Sequence, residues 1–199
     1  MGSCESKHAF RQRALAARLA VSEQARAEAG VLAGKRLVAL LEPLGLLGRP
    51  ITVLAYATHG HEFPAATVVG AIASALGSER LRTVYPRVSG PTSLTLHECS
   101  ADRLAAGYRE ILEPSGDLPT VDPSEVDVVL VPGVAFDERA MRLGYGKGFY
   151  DRALGSMTRA FKVGLSFDET LFTSIPCEPH DFPLDAVITP TRTVKPAAH

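Results

Sequence analysis

Short apolar runs alternate with segments of helical periodicity along most of the chain. Five runs have the length and apolar content of strands, and they lie at residues 51–57, 81–85, 128–131, 162–167 and 184–189. Apolar positions recur with helical spacing at residues 7–47, 64–76 and 149–160. Strands that alternate with helices predict a three-layer α/β/α fold with a largely parallel sheet.

A single domain is predicted over residues 1–199. A chain of 199 residues with 46% hydrophobic content can bury about 70% of its unfolded surface, so no second domain is needed. Residues 115–124 are rich in Pro, Gly and Asp, which indicates a connecting loop within the domain. Residues 1–6 are predicted to be disordered.

The first 47 residues predict two helices. Ser22 is a suitable cap for the second one, and Glu23 follows in its first turn. Gly30 and Gly34 are expected to weaken the middle of that helix. In the first helix Lys7 and Arg11 are four residues apart, so both cations lie on one face. Without further information, such a pair indicates a solvated charged face.

The segment after the apolar run 128–131 has the composition of a phosphate-binding loop. It contains a polar turn at 137–140 and then three alternating glycines, with Arg142 and Lys147 beside them and Tyr150-Asp151 behind. Glycines allow successive backbone N–H groups to converge on an anion, and a helix start adds unpaired N–H groups. The two cations would supply full positive charges.

The spacing excludes two common phosphate motifs. A Walker loop requires Gly where Met141 lies and Ser or Thr where Gly148 lies. The dinucleotide fingerprint requires Gly where Phe149 lies, and its loop follows its strand directly. Three alternating glycines alone also suit a flexible surface turn, but the flanking Arg, Lys, Tyr and Asp favour a binding site.

The net charge and the cysteine content indicate which partners and which cell compartment to expect. A net charge of -1 provides no basic field, so we expect no nucleic-acid partner. Cys4, Cys99 and Cys177 have no metal-type spacing, and they indicate reduced thiols in a cytoplasmic protein. No apolar run reaches about 18 residues, so we expect no membrane span.

The segment Asp137–Arg152 resembles the signature of the 5-formyltetrahydrofolate cyclo-ligase family, Asp-x-x-Gly-x-Arg-Leu-Gly-x-Gly-x-Gly-(Phe or Tyr)-Tyr-Asp. It differs at Ala140, where the family usually has Gly. Lys7 to Arg11 is similar to the family's Lys-x-x-Leu-Arg, and Tyr56-x-Thr58-x-x-x-Glu62 to its Tyr-x-Ser-x-x-x-Glu.

Further similarities extend from Pro86-Arg87 to the end of the chain. Residues 104–114 resemble Gly-x-x-Gly-Ile-x-Glu-Pro with Glu110 in place of the second Gly, and residues 176–181 match Pro-x-x-x-x-Asp. Thr170 lies where the family usually has Gln. His59 and His61 flank Glu62, but no matching distant ligand accompanies them.

The resemblance implies an α/β enzyme that uses ATP and Mg²⁺ to cyclise 5-formyltetrahydrofolate to 5,10-methenyltetrahydrofolate, releasing ADP and phosphate. It assigns ATP binding to Lys7, Arg11, Arg142, Leu143, Gly144, Tyr145, Gly146, Lys147, Gly148, Phe149 and Tyr150. It assigns folate binding to Ala57, Glu62 and Tyr150, catalysis to Arg142 and Tyr150, and magnesium to Asp151 and Asp181.

Two other functions are compatible with these residues. A different ATP-dependent phosphoryl-transfer enzyme would keep the loop and change the pocket, and Ala140 and Thr170 leave room for this. A nucleotide-binding protein without turnover is the non-enzymatic alternative, which the presence of Arg142, Tyr150 and Asp151 disfavours. The expected partners are small molecules, reduced folate and ATP, and the expected state is a monomer.

Overall fold

The computed structural model describes residues 6–178, 181 and 183–196. The helices are α1 Lys7–Leu19, α2 Glu23–Leu41, α3 Ala65–Leu76 and α4 Phe149–Ser156. The strands are β1 Ile51–Leu54, β2 Leu81–Val88, β3 Leu94–Glu98, β4 Ala105–Ala106, β5 Leu112–Glu113, β6 Thr120–Val121, β7 Val128–Val131, β8 Ala135–Asp137, β9 Arg142–Leu143, β10 Phe161–Leu165, β11 Leu171–Phe172, β12 Ala186–Ile188 and β13 Thr193–Val194.

Eight strands form the main sheet, in the order β13-β12-β10-β7-β1-β2-β3-β6. The five central strands, from β12 to β2, pair in parallel, and they are the five apolar runs of the sequence. Antiparallel partners close both edges. The predicted α/β fold with a largely parallel sheet is therefore confirmed. Strands β11, β8 and β9 form a second, small sheet, and β4 pairs with β5.

The central strand β7 shows how the layers pack. Val128 and Leu130 face the core that contains α2 and α3, whereas Val129 and Val131 face the core beside α4. All four side chains are fully buried, as expected of a strand covered on both faces. Helix α1 packs elsewhere, with Phe10 and Ala14 in a separate cluster against the small sheet. This arrangement carries the N-terminal helix to the carboxyl ends of the parallel strands.

Two helix ends differ from the expected positions, and the described part of the chain begins at Ser6. Helix α4 ends at Ser156 rather than near Ala160, because Gly155 and Ser156 are poor helix formers and Met157 turns into the core. Helix α2 ends at Leu41, and a short 3-10 turn follows at Leu46–Gly48. Of the six residues predicted to be disordered, Ser6 caps α1 by accepting from the Ala9 N–H, and residues 1–5 lie outside the described part.

The glycines of α2 allow α2 and α3 to approach closely. A Cβ atom on Gly34 would lie 2.7 Å from the Cβ of Ala71, and one on Gly30 would lie 2.9 Å from Pro64. Helix α2 nevertheless runs without interruption through both positions. These glycines therefore contribute to helix packing, and the weakening expected from their propensity is offset by the close contact.

No helix within residues 6–178 and 183–196 is long and apolar enough to span a bilayer.

We expect Gly34→Ala to destabilise the protein by about 1–3 kcal/mol, because the added methyl must displace α3 or strain the backbone. The free energy of unfolding from urea titration measures the loss. The matched control is Gly70→Ala in α3, where nothing lies within 4 Å of the new Cβ. That change should raise stability by up to about 1 kcal/mol through helix propensity. Equal stability of Gly34→Ala and the wild type would show that the close approach is not required.

Candidate active site

A cavity of about 430 Å³ opens beside the glycine loop, at the carboxyl ends of β1, β2 and β7. Parallel α/β sheets commonly place ligands at this end. Four segments line it: the loop after β1, strands β2 and β3, the stretch 108–113 that ends in β5, and residues 132–151 around the glycines. Most of the wall is apolar, and Tyr108 meets Phe149 edge to face with ring centroids 6.1 Å apart.

The glycine loop joins β9 directly to α4. Gly146 and Gly148 have φ values of 87° and 69°, in the region that favours glycine. Gly148 occupies the N-cap position of α4 and has no side chain to bond the first N–H groups of the helix, which leaves them available to an anion. The loop therefore has the local structure predicted for a phosphate-binding segment.

Arg142 lies against the inner side of this loop. Its side chain is 9% exposed, and one guanidinium nitrogen donates to the Pro132 carbonyl at 3.2 Å. A second nitrogen pairs with the carboxylate of Asp151, whose side chain is 55% exposed. The guanidinium carbon also lies 6.0 Å from the ring centroid of Tyr150. Arg142, Tyr150 and Asp151, which come from β9 and α4, are thus neighbours at the cavity wall.

The Tyr150 hydroxyl is buried and has no hydrogen-bond partner among the described residues. Burial, followed by the negative charge of Glu62, raises the pKa of Tyr150 well above its ordinary value, although Arg142 lowers it. The phenol is therefore neutral at physiological pH and can donate a hydrogen bond. A buried polar group without a partner is costly, so this hydroxyl indicates where a ligand binds.

Glu62 lies among tyrosines at the other side of the cavity. Its carboxylate accepts from the His59 N–H at 3.2 Å. Burial is the main cause that raises the pKa of Tyr56, Tyr145 and Tyr150, and the charge of Glu62 is the second cause in each case. Ala57 also lines the cavity. The predicted folate-binding residues are thus brought together, next to the predicted phosphate loop.

Helix α1 approaches the site from outside the cavity. Lys7 contacts Asp181 at 2.8 Å and Glu178 at 3.2 Å. Partial burial alone would lower the pKa of Lys7, but the hydrogen bonds with these carboxylates raise it above its ordinary value. Arg11 donates from Nε to the Gly144 carbonyl at 2.7 Å. Arg11 therefore contacts the glycine loop and Lys7 contacts a predicted magnesium ligand, so the face they share is not simply solvated.

Not every predicted site residue reaches the cavity wall. Lys7, Arg11, Leu143 and Asp181 do not line it, and Leu143 is buried against Phe10 and Ala14 of α1. The two predicted magnesium ligands each pair with a predicted ATP-binding cation. Within the described part of the chain, no group of three or more His, Cys, Asp or Glu side chains is arranged to hold a metal. The magnesium site therefore stays a prediction.

The sequence and the fold of this chain are similar to those of known proteins. The sequence profile of the 5-formyltetrahydrofolate cyclo-ligase family matches residues 3–190. The 5-formyltetrahydrofolate cyclo-ligase of Mycoplasma pneumoniae is 30% identical over 185 residues, which are 92% of this chain and 97% of that protein. The chain belongs to the 5-formyltetrahydrofolate cyclo-ligase family.

Two further relatives extend this result. The 5,10-methenyltetrahydrofolate synthetase of Aquifex aeolicus has the same fold, with a TM-score of 0.76 at 27% identity, over 97% of this chain and 94% of that one. The probable 5-formyltetrahydrofolate cyclo-ligase of Schizosaccharomyces pombe is 38% identical over 99 residues, 43% of this chain. That match spans about half of the yeast protein, 48% of its length.

The structure explains two positions where this cyclo-ligase family member departs from the expected glycines. Ala140 and Glu110 have φ values of 61° and 62°, a region in which glycine has no steric cost. The turn at Ala140 forms nonetheless, with its N–H donating to the Asp137 carbonyl at 2.9 Å. Thr170, where the family usually has Gln, is buried, bonds Ser166 at 2.9 Å and does not line the cavity.

Two polar residues of the site region were not identified from the sequence. Arg18 is buried beneath the glycine loop and donates to the Tyr145 hydroxyl. Its spacing of eleven residues from Lys7 places it on the same face of α1, and that periodicity could have identified it. Asp137 lies at the start of the family signature, yet it is fully buried and holds neighbouring backbone groups. No local pattern distinguishes such an anchoring role from an ordinary turn.

Proposed function

We propose that this protein catalyses the ATP- and Mg²⁺-dependent conversion of 5-formyltetrahydrofolate to 5,10-methenyltetrahydrofolate, with release of ADP and phosphate. The observation that carries the proposal is the buried Tyr150 hydroxyl, which has no hydrogen-bond partner among the described residues and lies in a cavity shared by Glu62 and the glycine loop. A ligand that packs a ring against the apolar wall, offers an oxygen to Tyr150 and places phosphate groups at the loop would satisfy this cavity. Folate and ATP together have those properties.

The reaction needs activation because the formyl carbon of an amide is a poor electrophile. Transfer of the γ-phosphoryl group to the formyl oxygen forms an O–P bond, breaks the bond to ADP and makes the oxygen a leaving group. Folate N10 then attacks the activated carbon and loses its proton. Its attack closes the ring, and a nitrogen lone pair then forms the C=N bond of the methenyl bridge as phosphate departs with the electrons of the C–O bond.

Such chemistry depends on positioning and on neutralising phosphate charge. Arg142 and Lys147 flank the glycines, and Arg11 contacts the loop backbone, so these cations would hold the phosphates of ATP. The neutral Tyr150 phenol would donate to the oxygen that changes partners. Glu62 would accept hydrogen bonds from the pteridine ring and so place the formyl group next to the phosphate loop.

The carboxylates of Asp151 and Asp181 have the hard oxygen atoms that Mg²⁺ prefers. Asp151 now pairs with Arg142 and Asp181 with Lys7, and both cations are assigned to phosphate. With Mg-ATP bound, Arg142 and Lys7 would hold phosphate oxygens, and Asp151 and Asp181 would hold the metal. Bound Mg²⁺ would neutralise charge on the transferred phosphoryl group.

We expect the purified protein, mixed with 5-formyltetrahydrofolate and Mg-ATP, to form the near-ultraviolet chromophore of methenyltetrahydrofolate with one ADP per turnover. Absorbance and ADP quantification in the same sample measure this ratio. Omission of either substrate is the control. ATP hydrolysis without the chromophore would favour a different phosphoryl-transfer enzyme, and binding without turnover would favour a nucleotide-binding protein.

We further propose that the protein acts as a cytoplasmic monomer on small molecules, without a nucleic-acid or membrane partner.

A further inference from the structure

Arg18 is a buried cation that connects three parts of the structure. It belongs to the last turn of α1, and the residue is 5% exposed. One terminal nitrogen donates to the Tyr145 hydroxyl in the glycine loop at 3.0 Å. The other donates to the Val134 carbonyl at 3.0 Å and to the Gly133 carbonyl, both just after β7. Arg18 therefore joins α1, the central strand of the sheet and the glycine loop through direct hydrogen bonds.

Such a cation is a poor choice where only stability is needed. A buried charge is costly unless it is paired, and a well-packed apolar side chain of similar volume often stabilises a fold better. In the described part of the chain, the partners of Arg18 are two carbonyls and a phenol, and its Nε atom is buried without a hydrogen bond. This cost indicates that the contacts of Arg18 serve the site that they reach.

Arg11 makes a second contact between α1 and the same loop. Seven residues, about two helical turns, separate Arg11 from Arg18, so both side chains lie on one face of α1. Arg11 donates from Nε to the Gly144 carbonyl at 2.7 Å. The two arginines thus hold consecutive residues of the glycine loop, Gly144 by its backbone and Tyr145 by its side chain.

The glycine loop has few contacts of its own that would fix its shape. Gly146 and Gly148 have positive φ values, and a glycine loses more conformational freedom on ordering than any other residue. Among the described residues, no backbone–backbone hydrogen bond involves residues 145–147. N–H groups in such a loop bind an anion tightly only when other contacts hold them in place beforehand, because ordering the loop otherwise reduces the affinity.

We propose that Arg18 is a positioning residue that acts through the Tyr145 hydroxyl to hold the glycine loop in the conformation that binds the phosphates of ATP. The inference rests on the proposed function, because it assigns the loop to ATP. Arg18 does not line the cavity, so it orders the loop from behind rather than by touching the nucleotide. The carbonyls of Gly133 and Val134 are the fixed end of this connection, and Tyr145 is the end that holds the loop.

The first test measures binding of each substrate separately, by calorimetry with ATP and Mg²⁺ alone and with 5-formyltetrahydrofolate alone. Tyr145→Phe removes only the hydroxyl that Arg18 holds. We expect the Kd of ATP to rise about fivefold to tenfold, as for loss of a hydrogen bond to a charged group. The Kd of the folate should stay within about twofold. Arg36→Met on α2 is the control, since Arg36 is exposed and donates to the Pro190 carbonyl at 2.8 Å. It should leave both Kd values unchanged.

The second test observes the loop without any ligand. Lys147 is exposed in the glycine loop, so trypsin can cleave after it whenever the loop opens. We expect the initial rate of this cleavage, measured by mass spectrometry, to rise about fivefold in Tyr145→Phe. Cleavage after Lys35, which is exposed within α2, should keep its wild-type rate. If the Tyr145 hydroxyl only touched ATP directly, the cleavage rate after Lys147 would not change.

A double-mutant cycle tests the link between the two side chains. Arg18→Met should weaken ATP binding by a factor similar to that of Tyr145→Phe. Because Arg18 acts through the Tyr145 hydroxyl, the double variant Arg18→Met, Tyr145→Phe should lose no more than either single variant. If the charge of Arg18 acted on the phosphates through space, Arg18→Met would weaken ATP binding further in the Tyr145→Phe background.

Four outcomes would overturn the inference: unchanged ATP affinity of Tyr145→Phe, equal losses of ATP and folate affinity, an unchanged rate of cleavage after Lys147, or a double variant that loses the product of the single effects. Since Tyr145→Phe alone decides the first three, the test stands even where Arg18→Met does not fold. Failure of the wild type to bind ATP would instead overturn the proposed function, so the two failures are distinguishable.

Discussion

Asp151→Asn should reduce turnover by at least about a hundredfold, equivalent to about 2.7 kcal/mol in activation free energy. Asn keeps the size of Asp and one oxygen atom but lacks the charge that a hard cation needs. The magnesium concentration required for half-maximal activity should rise as well. Steady-state rates at several Mg²⁺ concentrations measure both effects, and thermal stability without ligands should change little.

The structure also offers a purely structural explanation for Asp151. Asp151 lies in the first turn of α4, where a negative charge favours the positive end of the helix dipole by about 0.3–1 kcal/mol. It also pairs with Arg142, and an ion pair with an exposed partner contributes about 0–1 kcal/mol. If Asp151 had only these structural roles, Asp151→Asn would melt earlier and keep its activity.

A matched control for Asp151 exists in α2. Glu23 is exposed in the first turn of that helix and does not line the cavity, so Glu23→Gln removes a charge from the first turn of a helix away from the site. We expect it to keep full activity at every Mg²⁺ concentration. Near-normal turnover of Asp151→Asn at low Mg²⁺, together with a stability change like that of Glu23→Gln, would make Asp151 a helix-start residue and remove it from the metal assignment.

The central sheet could be predicted because its strands have a distinctive composition. Runs such as Val128–Val131 are apolar on both faces, which only a covered parallel strand requires. The antiparallel strands β3, β6 and β13 at the two ends of the sheet carry mixed residues, because each is only partly buried. Thr193 in β13, for example, is exposed. Short antiparallel edges of this kind have no pattern that separates them from loops.

The candidate site also has one part that the sequence predicts and another that it does not. The glycine loop and its flanking cations are contiguous in sequence, so one segment indicates a phosphate site. The contacts of Arg18 with Tyr145 and of Lys7 with Asp181 join residues 127 and 174 positions apart. Such pairs depend on how α1 packs against the small sheet, which no local periodicity encodes. For the same reason Gly34 is interpreted from its propensity as a weak point, whereas its contact with Ala71 makes it a packing position.

Asp137→Ala should destabilise the protein by about 3–5 kcal/mol, because several backbone N–H groups lose their acceptor at about 1–3 kcal/mol for each buried one. Asp137 is fully buried. One carboxylate oxygen accepts from the N–H groups of Arg139 at 2.9 Å and Met141 at 3.0 Å. The other accepts from the Ile175 N–H at 3.1 Å and from the Arg139 guanidinium at 2.6 Å and 3.0 Å.

These bonds tie the turn between β8 and β9 to the segment at residue 175, which packs against α1. The Arg139 side chain is 56% exposed and can hydrate when the carboxylate is lost, so it accounts for little of the cost. The Ile175 N–H is buried and has no access to water in exchange. A buried donor without an acceptor costs about 1–3 kcal/mol, and Met141 adds a second, partly buried one.

Urea denaturation of the ligand-free protein measures the change as a shift of the midpoint at constant slope. Because domains of this size have about 5–15 kcal/mol of stability, Asp137→Ala should still be folded in buffer but close to its transition. Asp137→Asn keeps an acceptor oxygen and should lose less. The exposed Asp102→Ala is the control and should leave the midpoint unchanged. If Asp137→Ala unfolded at the wild-type midpoint, the turn and the segment at Ile175 would be held by their apolar packing alone, and Asp137 would not be the anchor inferred from its hydrogen bonds.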